Sequence, residues 1–198
     1  MPSQPLTPTS ATNTLHTIST ASFAMLLRNA TDADLPAIQS IYAYWVNYGT
    51  GSFELTPPTV DDMVTRRADV LTKSLPYLVA EEAGAVRGYA YVNWFRPRPA
   101  YRFSVENSVY IHPDARRGGV ARLLMAELMT RCEQAGARQM IAVIGDSANT
   151  GSIGLHTAMG FRHVGTMQST GGKFDRWLDT VFMQRQLGAG DTSVATNS

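Results

Sequence analysis

The spacing of apolar residues predicts two helices near the start of the patterned part of the chain. Thr31-x-x-Asp34 and Thr59-x-x-Asp62 are typical of helix starts, because Thr and Asp side chains can cap backbone amides reciprocally. After the first start, apolar residues recur every three or four positions, as Leu35, Ile38, Ile41, Tyr42 and Trp45. The second predicted helix runs to about residue 73 and carries Met63, Val64 and Val70.

A change of period predicts strands in the middle of the chain. Residues 77–80 and 86–94 are predicted strands, joined as a hairpin through residues 82–84. Over residues 104–111, one row holds Val105, Asn107, Val109 and Ile111, and the other holds Ser104, Glu106, Ser108 and Tyr110. Because side chains alternate between the faces of a strand, Glu106 is expected to face away from the apolar row.

The C-terminal half alternates helices with strands. A helix is predicted over about 119–135 and ends at Gly136, and another is predicted over 152–159 and ends at Gly160. Strands are predicted over 139–144, 161–168 and 177–186. With a first strand beginning at about residue 26, the order β-α-α-β-β-β-α-β-α-β-β indicates an α/β sandwich around a mixed sheet.

The two ends of the chain lack this patterning. Residues 1–24 contain no Asp, Glu, Lys or Arg, and ten of them are Ser or Thr. They have neither the basic start and apolar block of a signal peptide nor the arginines of a transit peptide. We therefore expect a disordered arm over 1–24, one domain over 25–187 and a disordered tail over 188–198.

Composition narrows the possible function classes. A net charge of +1 and a pI near 7.9 give no general basic field for nucleic acid. The single cysteine, Cys132, cannot form an internal disulfide, and no pair of histidines has metal-ligand spacing. No apolar run is long enough to span a bilayer. The sequence therefore predicts a soluble protein without a metal, a nucleic-acid partner or a membrane partner.

One glycine-rich turn indicates an anion site. The predicted strand over 104–111 is followed by Arg116, Arg117, Gly118 and Gly119, and a long helix begins at once. Two glycines allow the backbone amides to turn inward, and the helix N-terminus adds partial positive charge. The two arginines add donors that stay charged at any physiological pH. The turn therefore predicts binding of a diphosphate, although a basic surface turn would have the same composition.

The form Arg116-x-x-Gly119-x-Ala121 resembles the acetyl-CoA pyrophosphate loop of the GCN5-related N-acetyltransferase superfamily. Further landmarks, in order along the chain, are similar to the phosphinothricin N-acetyltransferase family: Ser52-Phe-Glu54, Pro76-Tyr-Leu-Val-Ala-Glu81, Gly88-Tyr-Ala-Tyr91, Val105-Glu-Asn-Ser-Val-Tyr110, Leu155-His156 and Gly172-Lys-Phe174. Two positions depart from the family pattern, namely Thr157, where Glu is frequent, and Asp175, where Gly is common. The resemblance implies a mostly antiparallel sheet flanked by helices, acetyl-CoA as co-substrate, a cytoplasmic location and a homodimer.

The resemblance also implies which residues hold acetyl-CoA. The amides of Val109, Tyr110 and Ile111 are expected to bind the pantetheine arm as an added strand would. Asn149 is expected both to cap its helix and to contact the cofactor. The remaining expected cofactor residues are Arg116, Arg117, Gly118, Gly119, Val120, Ala121, Arg122 and Ser152.

Two residues are candidates for catalysis. An amine substrate is mostly ammonium at neutral pH, so attack on a thioester needs a base. Glu106 is suited to that role, although it could instead be a solvated charge or one half of an ion pair. His156 matches a histidine proposed as a catalytic partner in the family, and a lone histidine on a helix is otherwise often structural.

Acceptor recognition is expected from residues just before the Glu106 strand and from the loop after the first helix. Arg98 and Tyr101 are predicted to hold a carboxylate or phosphinate, and Phe53 is predicted to form an apolar wall. Arg96 and Arg102 are weaker candidates. The resemblance implies acetylation of the α-amine of a glutamate- or methionine-like amino acid. A protein N-terminal or lysine acetyltransferase and a non-catalytic CoA-binding module are the alternatives.

Overall fold

A computed structural model describes residues 24–193, which contain four α-helices and seven strands. The helices are α1 (Leu35–Tyr48), α2 (Val60–Thr72), α3 (Val120–Gln134) and α4 (Thr150–Ala158). The strands are β1 (Leu26–Asn29), β2 (Tyr77–Glu82), β3 (Ala85–Trp94), β4 (Ser104–Ile111), β5 (Gln139–Gly145), β6 (Arg162–Lys173) and β7 (Arg176–Gln186). None of the helices in these residues has the length and apolar character needed to cross a membrane.

The seven strands form one sheet in the order β1-β2-β3-β4-β5-β7-β6. Only β4 and β5 are parallel, and every other neighbouring pair is antiparallel. The predicted order of helices and strands and the mixed, mostly antiparallel sheet are therefore confirmed. The connection from β4 to β5 runs through α3, as a parallel pair requires a crossover.

Helices cover both faces of the sheet. Asn107 of β4 contacts Met125 of α3, whereas Tyr110 of β4 packs edge-on against Tyr42 of α1, with ring centroids 4.9 Å apart. Because neighbouring odd and even residues of a strand point to opposite faces, α1 and α3 lie on opposite sides. On this side of the sheet, α3 contributes Leu124, Leu128 and Cys132 to the core, and all three are fully buried.

The helix starts and the last hairpin differ in detail from the predictions. Thr31 caps a short 3-10 turn, and α1 begins only at Leu35. Thr59 caps α2 as expected, accepting from the Asp62 amide at 3.1 Å. Strand β6 continues to Lys173, beyond the predicted end at 168, because its Gly- and Ser-rich end pairs with β7 after a bulge.

The predicted terminal segments fall mostly outside the described residues. Residues 1–23 of the expected arm and 194–198 of the expected tail lie outside them. Residues 188–193 are described and form a turn, in which the Gly190 amide donates to the Leu187 carbonyl. The division at 24/25 and 187/188 therefore stays a prediction.

A buried carboxylate joins β1 to the start of α1. Asp34 accepts two hydrogen bonds of 2.7 Å from the Arg28 guanidinium and one of 2.7 Å from the Thr31 amide. Arg28 also donates to Glu81 of β2 at 2.7 Å. The hydrogen bonds from Arg28 outweigh burial and lower the pKa of Asp34 to about 2.

Asp34→Asn is expected to lower the free energy of unfolding by about 2 kcal/mol at pH 7, because Arg28 loses its charged, bidentate partner. The pKa of Asp34 is depressed in the folded state, so its contribution is present above the ordinary value of 3.8 and is lost as pH falls toward 2. Urea unfolding at pH 7 and pH 3 measures both effects. Asp32→Asn, at an exposed carboxylate of the same turn, is the control and should cost less than about 1 kcal/mol.

Candidate active site

The parallel strands β4 and β5 pair over only part of their length. Their pairing runs from Ser104 opposite Gln139 to Asn107 opposite Ala142. Residues 108–111 of β4 and 143–145 of β5 are not paired with each other. Backbone groups along this stretch are therefore available to a ligand that enters between the strands.

The hydrogen bonds at the strand ends show which backbone groups face this gap. The Phe95 amide donates to the Ser104 carbonyl, and the His112 amide donates to the Arg87 carbonyl, so even-numbered residues of β4 face β3. Because the direction alternates, the amides of Val109 and Ile111 face the gap. The amide of Tyr110, expected to bind the cofactor, faces β3 instead.

The turn before α3 has the conformation of an anion-binding loop. Arg117 and Gly119 both have left-handed backbone, with φ values of 64° and 80°. The Arg122 and Leu123 amides donate to the Gly119 carbonyl at 3.0 and 3.1 Å, so the helix begins there. Amides at the start of a helix have no partner within it, and a turn of this kind directs them to one side.

The gap, the turn and the start of α4 enclose a cavity of about 880 Å³. Trp45 of α1 fixes one wall, since its indole donates to the Ile111 carbonyl at 2.8 Å. The Arg116 guanidinium lies 5.3 Å from the centroid of the Trp45 ring. This cavity is the larger of two that meet at Glu106, and we call it the larger cavity. All of the predicted cofactor residues except Gly118 line it: Val109, Tyr110, Ile111, Arg116, Arg117, Gly119, Val120, Ala121, Arg122, Asn149 and Ser152.

A second, smaller cavity of about 760 Å³ lies between α2 and strands β3 and β4, near the loop that joins these two strands. Its lining carries the basic side chains of Arg66, Lys73 and Arg96. Glu106 and Ser108 line this smaller cavity and also the larger one. Glu106 and Ser108 are therefore the residues at which the two cavities meet.

Glu106 has the electrostatic environment of a base. Burial raises the pKa of its carboxyl group, because the charged form loses hydration, and the charge of Arg96 partly opposes this effect. A raised pKa brings a carboxylate closer to the strength needed to accept a proton near neutral pH.

His156 is held by both of its ring nitrogens. Nδ1 lies 2.8 Å from the Ser152 carbonyl oxygen, which can only accept, so Nδ1 carries a proton. Nε2 lies 2.9 Å from the Asn107 amide nitrogen and accepts from it. Burial lowers the pKa of His156, which favours this neutral ring. His156 therefore contacts the neighbour of Glu106 on the opposite face of β4, not Glu106 itself.

Asn149 begins α4 at the mouth of the larger cavity. Its side-chain oxygen accepts from the Ser152 amide at 3.2 Å, and its nitrogen donates to the Gly145 carbonyl at 3.4 Å. The expected capping role is therefore present. Contact with a cofactor stays a prediction.

The structure does not bring the three predicted acceptor residues into either cavity. Phe53 lies over two glycines, because a Cβ added at Gly145 or Gly171 would fall within 3 Å of its ring. Arg98 is exposed, and Tyr101 packs edge-on against Phe95 at 6.1 Å in the loop between β3 and β4. Their roles in acceptor binding stay predictions.

Comparison with known proteins agrees with this geometry. Residues 38–161 match the acetyltransferase (GNAT) family. The chain belongs to the GNAT acetyltransferase family. In these acetyltransferase residues, and in the rest of the part that the structure describes, no group of three His, Cys, Asp or Glu side chains is placed to hold a metal.

Named relatives of this acetyltransferase cover most of its length. It is 54% identical over 171 residues to the phosphinothricin N-acetyltransferase of Alcaligenes faecalis, covering 86% of this chain and 87% of that one. It is 41% identical over 165 residues to an L-methionine sulfoximine/L-methionine sulfone acetyltransferase of Pseudomonas aeruginosa, covering 81% and 94%.

The crystal structure of a phosphinothricin acetyltransferase from Sinorhizobium meliloti, in complex with acetyl-CoA, has the same fold. It superposes with a TM-score of 0.85 at 48% identity, over 87% of this chain and 94% of that one.

Several residues that line the two cavities were not predicted from the sequence to form a site. Arg66 lies on α2 and Lys73 directly follows its last residue, where the sequence pattern predicted a helix and no site. Asn107 carried a usable signal, since it is the one polar residue in the apolar row of β4. A polar side chain in a buried row needs a partner, and here the partner is His156, 49 residues further along the chain.

Proposed function

We propose that this chain transfers an acetyl group from acetyl-CoA to the α-amine of a small, anionic amino-acid-like acceptor. Phosphinothricin and the methionine sulfoximine and sulfone type are the acceptors named for its relatives. The observation that carries the proposal is the meeting of the two cavities at Glu106 and Ser108. One cavity suits a diphosphate-bearing thioester, and the other suits an anionic acceptor.

The residues of the larger cavity fit acetyl-CoA. The amides at the start of α3, with Arg116 and Arg117, would hold the diphosphate. The amides of Val109 and Ile111 would hold the pantetheine arm and orient the acyl group. When bound, acetyl-CoA supplies an acyl group activated as a thioester.

Glu106 would prepare the acceptor for attack. An α-amine is mostly ammonium at neutral pH and has no free electron pair in that form. The Glu106 carboxylate accepts one ammonium proton, directly or through a water, and so leaves the amine neutral beside the acyl group. Direct attack requires no acyl-cysteine, and Cys132 is buried among core residues of α3.

The smaller cavity would select anionic acceptors. Arg66, Lys73 and Arg96 outnumber the acidic residues Asp69 and Glu106 in its lining. Arg66 is paired with Glu54 at 2.7 Å, and Lys73 is paired with Asp69. The Arg96 guanidinium stacks on the Phe95 ring at 4.2 Å and donates to the Phe95 carbonyl at 2.9 Å, but it forms no ion pair with a carboxylate of the described residues. We therefore assign Arg96 to the carboxylate or phosphinate of the acceptor.

An acceptor panel tests the proposed function. The chain is incubated with acetyl-CoA, a thiol reagent and one acceptor: phosphinothricin, methionine sulfoximine, methionine sulfone, methionine, a lysine peptide or a peptide with a free N-terminus. We expect thiol release with the first three and N-acetylation of their α-amine by mass spectrometry. Activity confined to the peptides would favour a protein acetyltransferase, and no release with any acceptor would favour a CoA-binding module.

Arg96→Gln is expected to raise the KM for the acceptor about tenfold or more, because one charge-assisted contact is lost. It should also shift the acidic limb of the rate profile to higher pH, since removing the positive charge raises the pKa of Glu106 further. Steady-state kinetics from pH 5 to pH 9 measure both effects. Arg131→Gln, at the far end of α3, is the matched control and should change neither.

We also propose a cytoplasmic homodimer that confers resistance to phosphinothricin-type compounds and has no nucleic-acid or membrane partner. Strand β6 is at one end of the sheet, and no other strand within residues 24–193 pairs with its outer edge, which would meet a second copy. Exposed apolar side chains lie along the β6–β7 hairpin, namely Val164, Met167, Phe174 and Trp177, the last 71% exposed. An apolar patch on a sheet edge favours self-association.

Trp177→Ser is expected to convert the proposed dimer to a monomer in sedimentation velocity at micromolar concentration. Leu26→Ser, at an exposed apolar residue of the opposite edge strand, is the control and should leave the dimer intact. A wild-type monomer, or equal behaviour of the two variants, would contradict this assembly.

A further inference from the structure

Asn107 has a buried polar atom that the fold leaves without a partner. The residue is 7% exposed and lines the larger cavity. The amide nitrogen donates to His156 and contacts the Met125 sulfur at 3.7 Å. Among the residues that the structure describes, no group donates to the amide oxygen Oδ1. An unpaired buried acceptor costs about 1–3 kcal/mol, so a ligand that donates to it gains affinity.

The orientation of this amide is fixed by His156. The Ser152 carbonyl requires the proton on Nδ1, and a neutral ring then leaves Nε2 as an acceptor. Only the nitrogen of the Asn107 amide can donate to Nε2, so Oδ1 must point away from the ring. His156 packs edge-on against Phe161 at 4.9 Å, which holds the ring in place.

Asn107 stands where the gap between β4 and β5 begins. It is the last residue of β4 that pairs with β5, opposite Ala142. The next gap-facing amides, on Val109 and Ile111, were assigned above to the pantetheine arm. An arm that follows this edge carries two amide N–H groups of its own, and these are the donors that an orphaned carbonyl oxygen needs.

We propose that Asn107 Oδ1 accepts a hydrogen bond from a pantetheine amide N–H of acetyl-CoA, and that His156 is a positioning residue for Asn107. This inference rests on the proposed function, because it requires that the larger cavity binds CoA. It assigns no proton transfer to His156. Its role is to hold the amide of Asn107 in the one orientation that presents an acceptor.

The test measures whether the Asn107 side chain accounts for the affinity contributed by one amide N–H of the ligand. Calorimetry compares CoA with two analogues, in each of which one pantetheine amide is replaced by an ester, and with 3′-phospho-ADP, which lacks the arm. We expect one ester analogue to bind the wild-type chain about tenfold more weakly than CoA. In Asn107→Leu that penalty should fall below twofold, while the affinity for 3′-phospho-ADP stays within twofold.

The control variant is Asn47→Leu, which removes an exposed asparagine of α1 and should keep the full ester penalty. His156→Ala should abolish the penalty as Asn107→Leu does, and the double variant should lose no more than either single variant. Wild-type protein alone also tests the idea, since both ester analogues binding within twofold of CoA would overturn it even if no variant folds.

Two further results would overturn the inference. One is an ester penalty that persists in Asn107→Leu, and the other is an equal loss of CoA and 3′-phospho-ADP binding in that variant, which indicates general disruption. Failure of the proposed function is distinguishable, because the acceptor panel measures it separately: a chain that binds CoA but acetylates none of the small acceptors fails as the proposed enzyme and leaves this inference to be decided by the ester analogues. A wild-type chain that binds neither CoA nor 3′-phospho-ADP would overturn both.

Discussion

Glu106→Gln is expected to lower turnover at pH 7 by about 10²-fold or more, with little change in the Kd for CoA. Glutamine keeps the shape of the side chain but cannot accept the ammonium proton. The raised pKa of Glu106 makes the loss larger than for an exposed carboxylate, because a stronger base is being removed. Single-turnover kinetics with saturating acceptor, together with calorimetry for CoA, measure the two quantities.

The same variant is expected to be more stable than the wild-type chain at neutral pH. The folded-state pKa of Glu106 lies above its ordinary value of 4.5, so ionisation of this carboxylate costs stability as pH rises past that value. Below about pH 4 both states are protonated and the two proteins should converge. Glu133→Gln, at an exposed carboxylate near the end of α3, is the control and should leave turnover unchanged.

Gly119→Glu is expected to weaken CoA binding at least ~10-fold more than Gly119→Gln does. Both side chains share the strain of left-handed backbone at φ 80°, and a Cβ there would meet nothing within 4 Å. The two variants therefore differ only in charge. A carboxylate at the start of α3 opposes a diphosphate, and salt should reduce the difference by screening.

Calorimetry at 50 mM and 500 mM salt measures this difference. Equal Kd values for the two variants would show that the turn before α3 does not hold the diphosphate. Equal melting temperatures of the two variants would show that strain has been matched.

The sequence predicted the order of helices and strands because each one has a clear period or a clear stop. Gly136 and Gly160 end their helices with φ values of 85° and 81°, which glycine adopts without strain. The end of β6 could not be predicted, since its Gly- and Ser-rich residues have no strand signal of their own. Pairing with β7 alone makes that segment a strand.

The candidate site was predictable only where its residues are close in the chain. Arg116 to Arg122 form one turn and one helix start, so their grouping follows from local sequence. The pairing of Asn107 with His156 depends on how segments 49 residues apart pack. Arg98 and Tyr101 precede the Glu106 strand and Phe53 lies in the loop after α1, but none of the three lines either cavity.

We propose Glu106 as the base for an α-amine bound beside acetyl-CoA. Turnover against pH, for the wild-type chain and Glu106→Gln with saturating phosphinothricin, tests it most directly. We predict a deficit of about 10²-fold at pH 7 that shrinks steadily toward pH 10, as more of the amine arrives already neutral. Near-normal turnover of Glu106→Gln at pH 7, or a deficit that stays constant to pH 10, would contradict the account.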